Sequence, residues 1–67
     1  MRNKGVLKEG CNVTVFHCDT SGNVVWSYPA IYENGWFNHR TPEKNARHDT
    51  PADCNGYYCF YEVKEDV

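Results

Sequence analysis

Aliphatic side chains are scarce in this sequence: seven valines are joined by one leucine (Leu7), one isoleucine (Ile31) and one methionine, the initiator. No apolar run approaches the roughly 20 residues of a membrane-spanning helix, so no membrane role is expected. The opening MRNKGVLKEG lacks the apolar h-region of a signal peptide, which leaves a cytosolic protein or a mature domain with an added start. Basic residues are sparse too. Arg40, Lys44 and Arg47 form the only local concentration in a chain of formal net charge −2, too little for the electrostatic footprint of a nucleic-acid binder. There is no phosphate loop or dinucleotide fingerprint, and neither Ser21 nor Ser27 stands in a G-x-S-x-G context. His17, His39 and His48, with Asp49 or Glu43, are the only acid–base candidates, and nothing in the sequence fixes their geometry. The expectation is therefore no enzyme, no cofactor and no metal.

What remains is a single 67-residue domain with ten aromatic residues and four cysteines. A chain of this size buries only about 60% of its unfolded surface, so it usually needs a staple beyond its core. Its patterning is β. In CNVTVFHC, Val13, Val15 and His17 alternate with Thr14, Phe16 and Cys18, as in a half-buried strand. DTSGN is a turn cluster. VVWSYPAIY sets Trp26, Tyr28 and Tyr32 on one face and Val25 and Ile31 on the other, with Pro29 marking an edge or a break. Asn34-Gly35 is the best hairpin signal, and GWFNHR returns from it. TPEKNARHDTPAD reads as a long polar loop with at most one short strand, and YYCFYEV as the last strand. Residues 1–5 read as a frayed start and 64–67 as a charged tail. The class is all-β, a small antiparallel sandwich or barrel.

The cysteines are spaced C-x6-C, then 35 residues, then C-x4-C. Zinc knuckles favour pairs two to four residues apart, which only Cys54 and Cys59 satisfy. Cys11 and Cys18 end one strand roughly 23 Å long at about 3.3 Å per residue, so one ion cannot take both. The same distance forbids bridging them, because linked Cα atoms lie about 4.4–6.8 Å apart. Disulfides are the favoured state over zinc or free thiols, and each N-terminal cysteine then reaches a C-terminal one. A bridge from Cys11 to Cys54, for example, closes a loop worth roughly 4 kcal/mol on the chain-entropy model. A tight turn at Asn55-Gly56 conflicts with two such bridges, since it would draw Cys54 and Cys59 together.

Trp26, Tyr28, Tyr32, Trp36 and Phe37 either fill a core short of aliphatics or form an exposed stripe across the Asn34-Gly35 hairpin, with His39 and Arg40 as a polar rim. Exposed Trp and Tyr are enriched in protein hot spots, and they also stack on sugars or cage cations. Asn12-Val13-Thr14 is a glycosylation sequon.

GCNVTVFHCDTSGN and DCNGYYCFYEV resemble the opening and the close of the MAX effectors, small secreted proteins of plant-pathogenic fungi. The resemblance spans most of the chain. It implies a six-stranded sandwich of two three-stranded sheets, a Cys11–Cys54 bridge and a monomer. Cys18 and Cys59 depart from the family pattern, in which many members carry one bridge, so whether they pair stays open. The resemblance also implies secretion, with delivery into host cells, and non-enzymatic binding of a host protein. VLKEGCNVTVFHCDTSGNVVWSYPAIYENGWF is similar to the opening of Tudor- and Agenet-like SH3 barrels, which implies an intracellular reader with an aromatic cage and reduced cysteines. YENGWFNHRTPEKN resembles chitin-binding modules that expose tryptophans near a proline.

Overall fold

The computed structural model describes residues 2–40 and 45–64, with the side chains of Arg40 and of residues 45–48 outside that description. Five strands form: β1 (Asn12–Cys18), β2 (Val24–Glu33), β3 (Trp36–Arg40), β4 (Asn45–Asp49) and β5 (Cys59–Val63). All are antiparallel and belong to one sheet of order β4-β3-β2-β1-β5. No helix occurs among the described residues. The all-β expectation stands. In place of two three-stranded sheets, the described residues form a single sheet in which the last strand returns beside the first.

Local chemistry accounts for the connections. The β1–β2 turn is held by Asp19, whose Oδ1 accepts from the backbone N–H of Ser21 (2.9 Å) and Asn23 (3.0 Å). Asn34 and Gly35 both take positive φ, 54° and 80°, the backbone a two-residue primed turn requires. Asn38 then closes the hairpin by donating its side-chain amide to the Ile31, Glu33 and Trp36 carbonyls. The expected polar loop does hold one short strand, β4, paired with β3 across a bulge at Phe37/Asn38.

The sheet curls strongly. β3 and β5 are three strands apart, which in a flat sheet is about 14 Å at ~4.8 Å per strand. Nevertheless the Phe37 and Tyr61 rings lie 5.6 Å apart, centre to centre. The curl follows from β2, which pairs with β1 over Val24–Ile31 and with β3 only over Ile31–Glu33. Its concave side holds the core: Val13, Val15, Tyr28, Ala30, Phe37, Cys54 and Cys59. On the convex side Phe16 stacks on Phe60 at 4.7 Å, and the Arg2 guanidinium lies 5.0 Å from the Phe60 ring centre.

Residues 2–4 are tied down where a frayed start was expected. Lys4 forms a parallel bridge with Glu62, and Asn3 accepts from the Tyr61 N–H and donates to the Cys54 carbonyl. Lys64 is anchored through its N–H to the Asn12 carbonyl, and the rest of the expected charged tail lies outside the described residues.

Candidate functional site

Strand alternation puts His17 on the concave face behind Val13 and Val15, at the C-terminal end of β1. It is paired across the ladders with Trp26 of β2 and Cys59 of β5. A register shift at His17/Cys18 bends the strand there, as bulges beside sites do. The Thr50–Asp53 turn, in which Asp53 Oδ2 accepts from the Thr50 N–H and hydroxyl, delivers Cys54 to the same end. Asn55-Gly56 does turn. Asn55 Oδ1 accepts from the Tyr57 N–H, and the Gly56 N–H donates to the Cys59 carbonyl. The Tyr58 carbonyl takes the Cys18 N–H at 2.8 Å, which fastens this loop to β1.

The sheet's curl then brings β4 across to β1. His17 Nε2 is 2.9 Å from Asp49 Oδ2 and 4.0 Å from Cys59 Sγ. The Tyr28 hydroxyl donates to the same Asp49 oxygen. Cys54 Sγ lies 2.7 Å from Cys59 Sγ. His17 Nε2, Asp49 Oδ2 and Cys59 Sγ all fall within 4.8 Å of one another. Burial, and after it the contact with Cys59, pushes the Cys54 thiol pKa up. Burial raises that of Cys59 against an opposing contribution from Cys54. Tyr28 is likewise raised, first by burial and then by its hydrogen bond to Asp49.

These positions do not compose a nucleophilic relay. In a Cys–His–Asp arrangement the carboxylate holds one ring nitrogen while the other takes the thiol proton. Here Asp49 and Cys59 face the same nitrogen, and burial keeps both thiols away from the reactive thiolate.

The aromatic residues divide. Tyr28 and Phe37 are buried and belong to the core, so of the two readings core filling, and not the exposed stripe, describes both. Tyr32 packs against that core, its ring 5.8 Å from Phe37. Trp36 and His39 are half-buried, His39 with its ring 5.4 Å from Tyr28, and the side chain of Arg40 lies outside the described residues. Trp26 is exposed, its ring 4.9 Å from Tyr28 and 5.3 Å from His17. Tyr28, one of the expected cage residues, is walled in and its hydroxyl is engaged by Asp49. Of the acid–base candidates the structure joins His17 to Asp49, while Glu43 and the side chain of His48 lie outside the described residues.

No disulfide joins any of the four cysteines in this structure, and the two brought together are Cys54 and Cys59. Cys11 packs beside the core at the other end of β1, and Cys18 Sγ accepts from the Arg2 guanidinium. Arg2 also lines an open pocket of about 460 Å³ at the cysteine-bearing end, with Asp19, Gly22, Gly56, Tyr57 and Tyr58. Sequence reading missed the meeting of His17, Asp49, Cys54 and Cys59. The available signal was a histidine continuing the inward valine face of β1.

No protein-family model matches the chain, and no curated protein or solved structure matches it.

Proposed function

We propose that this chain is a non-enzymatic binding module that takes a partner protein at the end of the sheet formed by the β1–β2 turn, the start of β2 and the Cys54–Cys59 loop. One observation carries this reading. Among the described residues, five of the six large apolar side chains left exposed are Val24, Val25, Trp26, Tyr57 and Tyr58. All five fall at this end, where Cys18 pairs with Val24 and bonds to Tyr58. Exposed aromatics grouped around a pocket are what a protein interface uses as anchors.

The effector setting rests on the resemblance of GCNVTVFHCDTSGN and DCNGYYCFYEV, which makes the partner a host protein and the chain a secreted monomer. Its finer architecture, a second sheet and a Cys11–Cys54 bridge, is proposed only with that resemblance. The single curled sheet favours the other resemblance, an SH3-like barrel acting on an intracellular protein, with the exposed patch in place of a cage. Both settings use the same end of the molecule.

A photo-crosslinking residue placed at Val25 or Tyr57, with control positions at Lys8 and Glu33, tests the reading. The same partner should be captured from both patch positions, be competed away by unmodified protein, and be lost on Val25→Lys or Tyr57→Lys. Equal capture from Lys8 and Glu33 would contradict it.

A further inference from the structure

The polar cluster inside the concave end is not accounted for by partner binding. Four groups with metal-ligand chemistry converge there from four separate places: His17 from β1, Asp49 from the end of β4, Cys54 from the loop and Cys59 from the start of β5. Both thiols are almost fully buried. His17 offers a single nitrogen to a carboxylate at 2.9 Å and a sulfur at 4.0 Å; the His17, Asp49 and Cys59 donor atoms all lie within 4.8 Å of one another, and Cys54 adjoins them through Cys59. The two sulfurs, 2.7 Å apart, sit inside the van der Waals contact of two thiols.

We propose that His17, Asp49, Cys54 and Cys59 bind one divalent zinc-class ion as a closed structural site. A tetrahedral zinc with Zn–S of about 2.3 Å and Zn–N or Zn–O of about 2.0–2.1 Å requires ligand–ligand edges of roughly 3.3–3.8 Å. The 2.7, 2.9 and 4.0 Å separations lie on either side of that range, and Cys54, which touches the His17–Asp49–Cys59 group through Cys59, swings in to supply the fourth ligand. Two thiolates, an imidazole and a carboxylate select a borderline-soft ion over magnesium or calcium, which take all-oxygen shells. Cys54 and Cys59 have the C-x4-C spacing of a zinc knuckle. Outer contacts are in place as well. The Tyr28 hydroxyl donates to Asp49, and the Trp26 ring packs beside His17. With all four positions taken by protein, the ion leaves no open place for substrate. It fastens β4 and the Cys54–Cys59 loop to β1 and β5, the staple that a domain with so few aliphatics needs.

Cobalt titration of the reduced, metal-stripped full chain tests this. One equivalent should bring thiolate-to-cobalt charge transfer in the near ultraviolet and tetrahedral d–d bands in the visible, both removed by zinc. Cys11→Ser and Cys18→Ser should leave the spectrum intact, and Cys54→Ser or Cys59→Ser should abolish it. Because the last two variants risk misfolding, Tyr28→Phe supplies an independent reading: it keeps the buried ring and should weaken cobalt binding about 10–100-fold, as loss of an outer partner does. A folded, reduced chain that takes up no cobalt would overturn the proposal. So would a spectrum that depends on Cys11 or Cys18, or a protein isolated in the presence of zinc with Cys54 and Cys59 joined as a disulfide.

Discussion

Gly5 has φ +91°, and a Cβ built on it would stand 2.6 Å from the Cβ of Val63. Both the backbone angle and the space exclude a side chain, and positions of that kind cost about 1–3 kcal/mol when a Cβ is forced in. Gly5→Ala should therefore lower stability by at least that amount in urea denaturation. A contrast within the aromatic set is just as sharp. Phe37 is fully buried against Tyr32 and Tyr61, and Phe37→Ala should cost about 3–5 kcal/mol, most of the stability of so small a domain. Trp26→Ala removes a ring half in solvent and should cost about 1 kcal/mol, the worth of its contact with Tyr28. At this scale the sequence was partly legible. Alternation set Val13, Val15 and His17 on one face of β1, but it says nothing about which distant carboxylate a histidine on that face will meet.

Among the elements, the Asn34-Gly35 hairpin was readable because its turn chemistry is local, and the structure gives it the expected positive φ angles. β4 was not. NARHD has no apolar alternation, and it becomes a strand by pairing with β3 rather than by its own preference. The start of the chain was misleading for a related reason: MRNKG carries no apolar pattern, yet Lys4 bonds to β5 through its backbone and Asn3 through its side chain, while Arg2 reaches Cys18 and Gly22. Deleting residues 1–5 removes the Lys4 bonds to Tyr61 and Val63 and the two Asn3 bonds. At about 1 kcal/mol for each, the truncated protein should lose roughly 2–4 kcal/mol, and the Tyr61 and Val63 amides should lose hydrogen-exchange protection first. Unchanged protection at those amides would show that the N-terminal segment does not clamp β5.

For the whole molecule, composition and turns were enough to indicate an all-β domain, and too little to choose between one curled sheet and two stacked ones. That choice depends on how β2 passes from its β1 ladder to its β3 ladder, a long-range property with no local signature. The same curl sets the cysteine chemistry. Distance along β1 pointed Cys11 and Cys18 to separate distant partners; the Asn55-Gly56 turn and the arrival of β4 bring Cys54 against Cys59, and Cys59 beside His17 and Asp49. On the metal proposal, this cluster holds the curled end of the sheet closed near the exposed Trp26, Tyr57 and Tyr58. Cysteine 13Cβ chemical shifts of the zinc-supplemented protein test it most directly, because free thiol, metal thiolate and disulfide carbons resonate apart. The account predicts metal-thiolate shifts at Cys54 and Cys59 together with free-thiol shifts at Cys11 and Cys18. Disulfide shifts at Cys11 and Cys54 would contradict it.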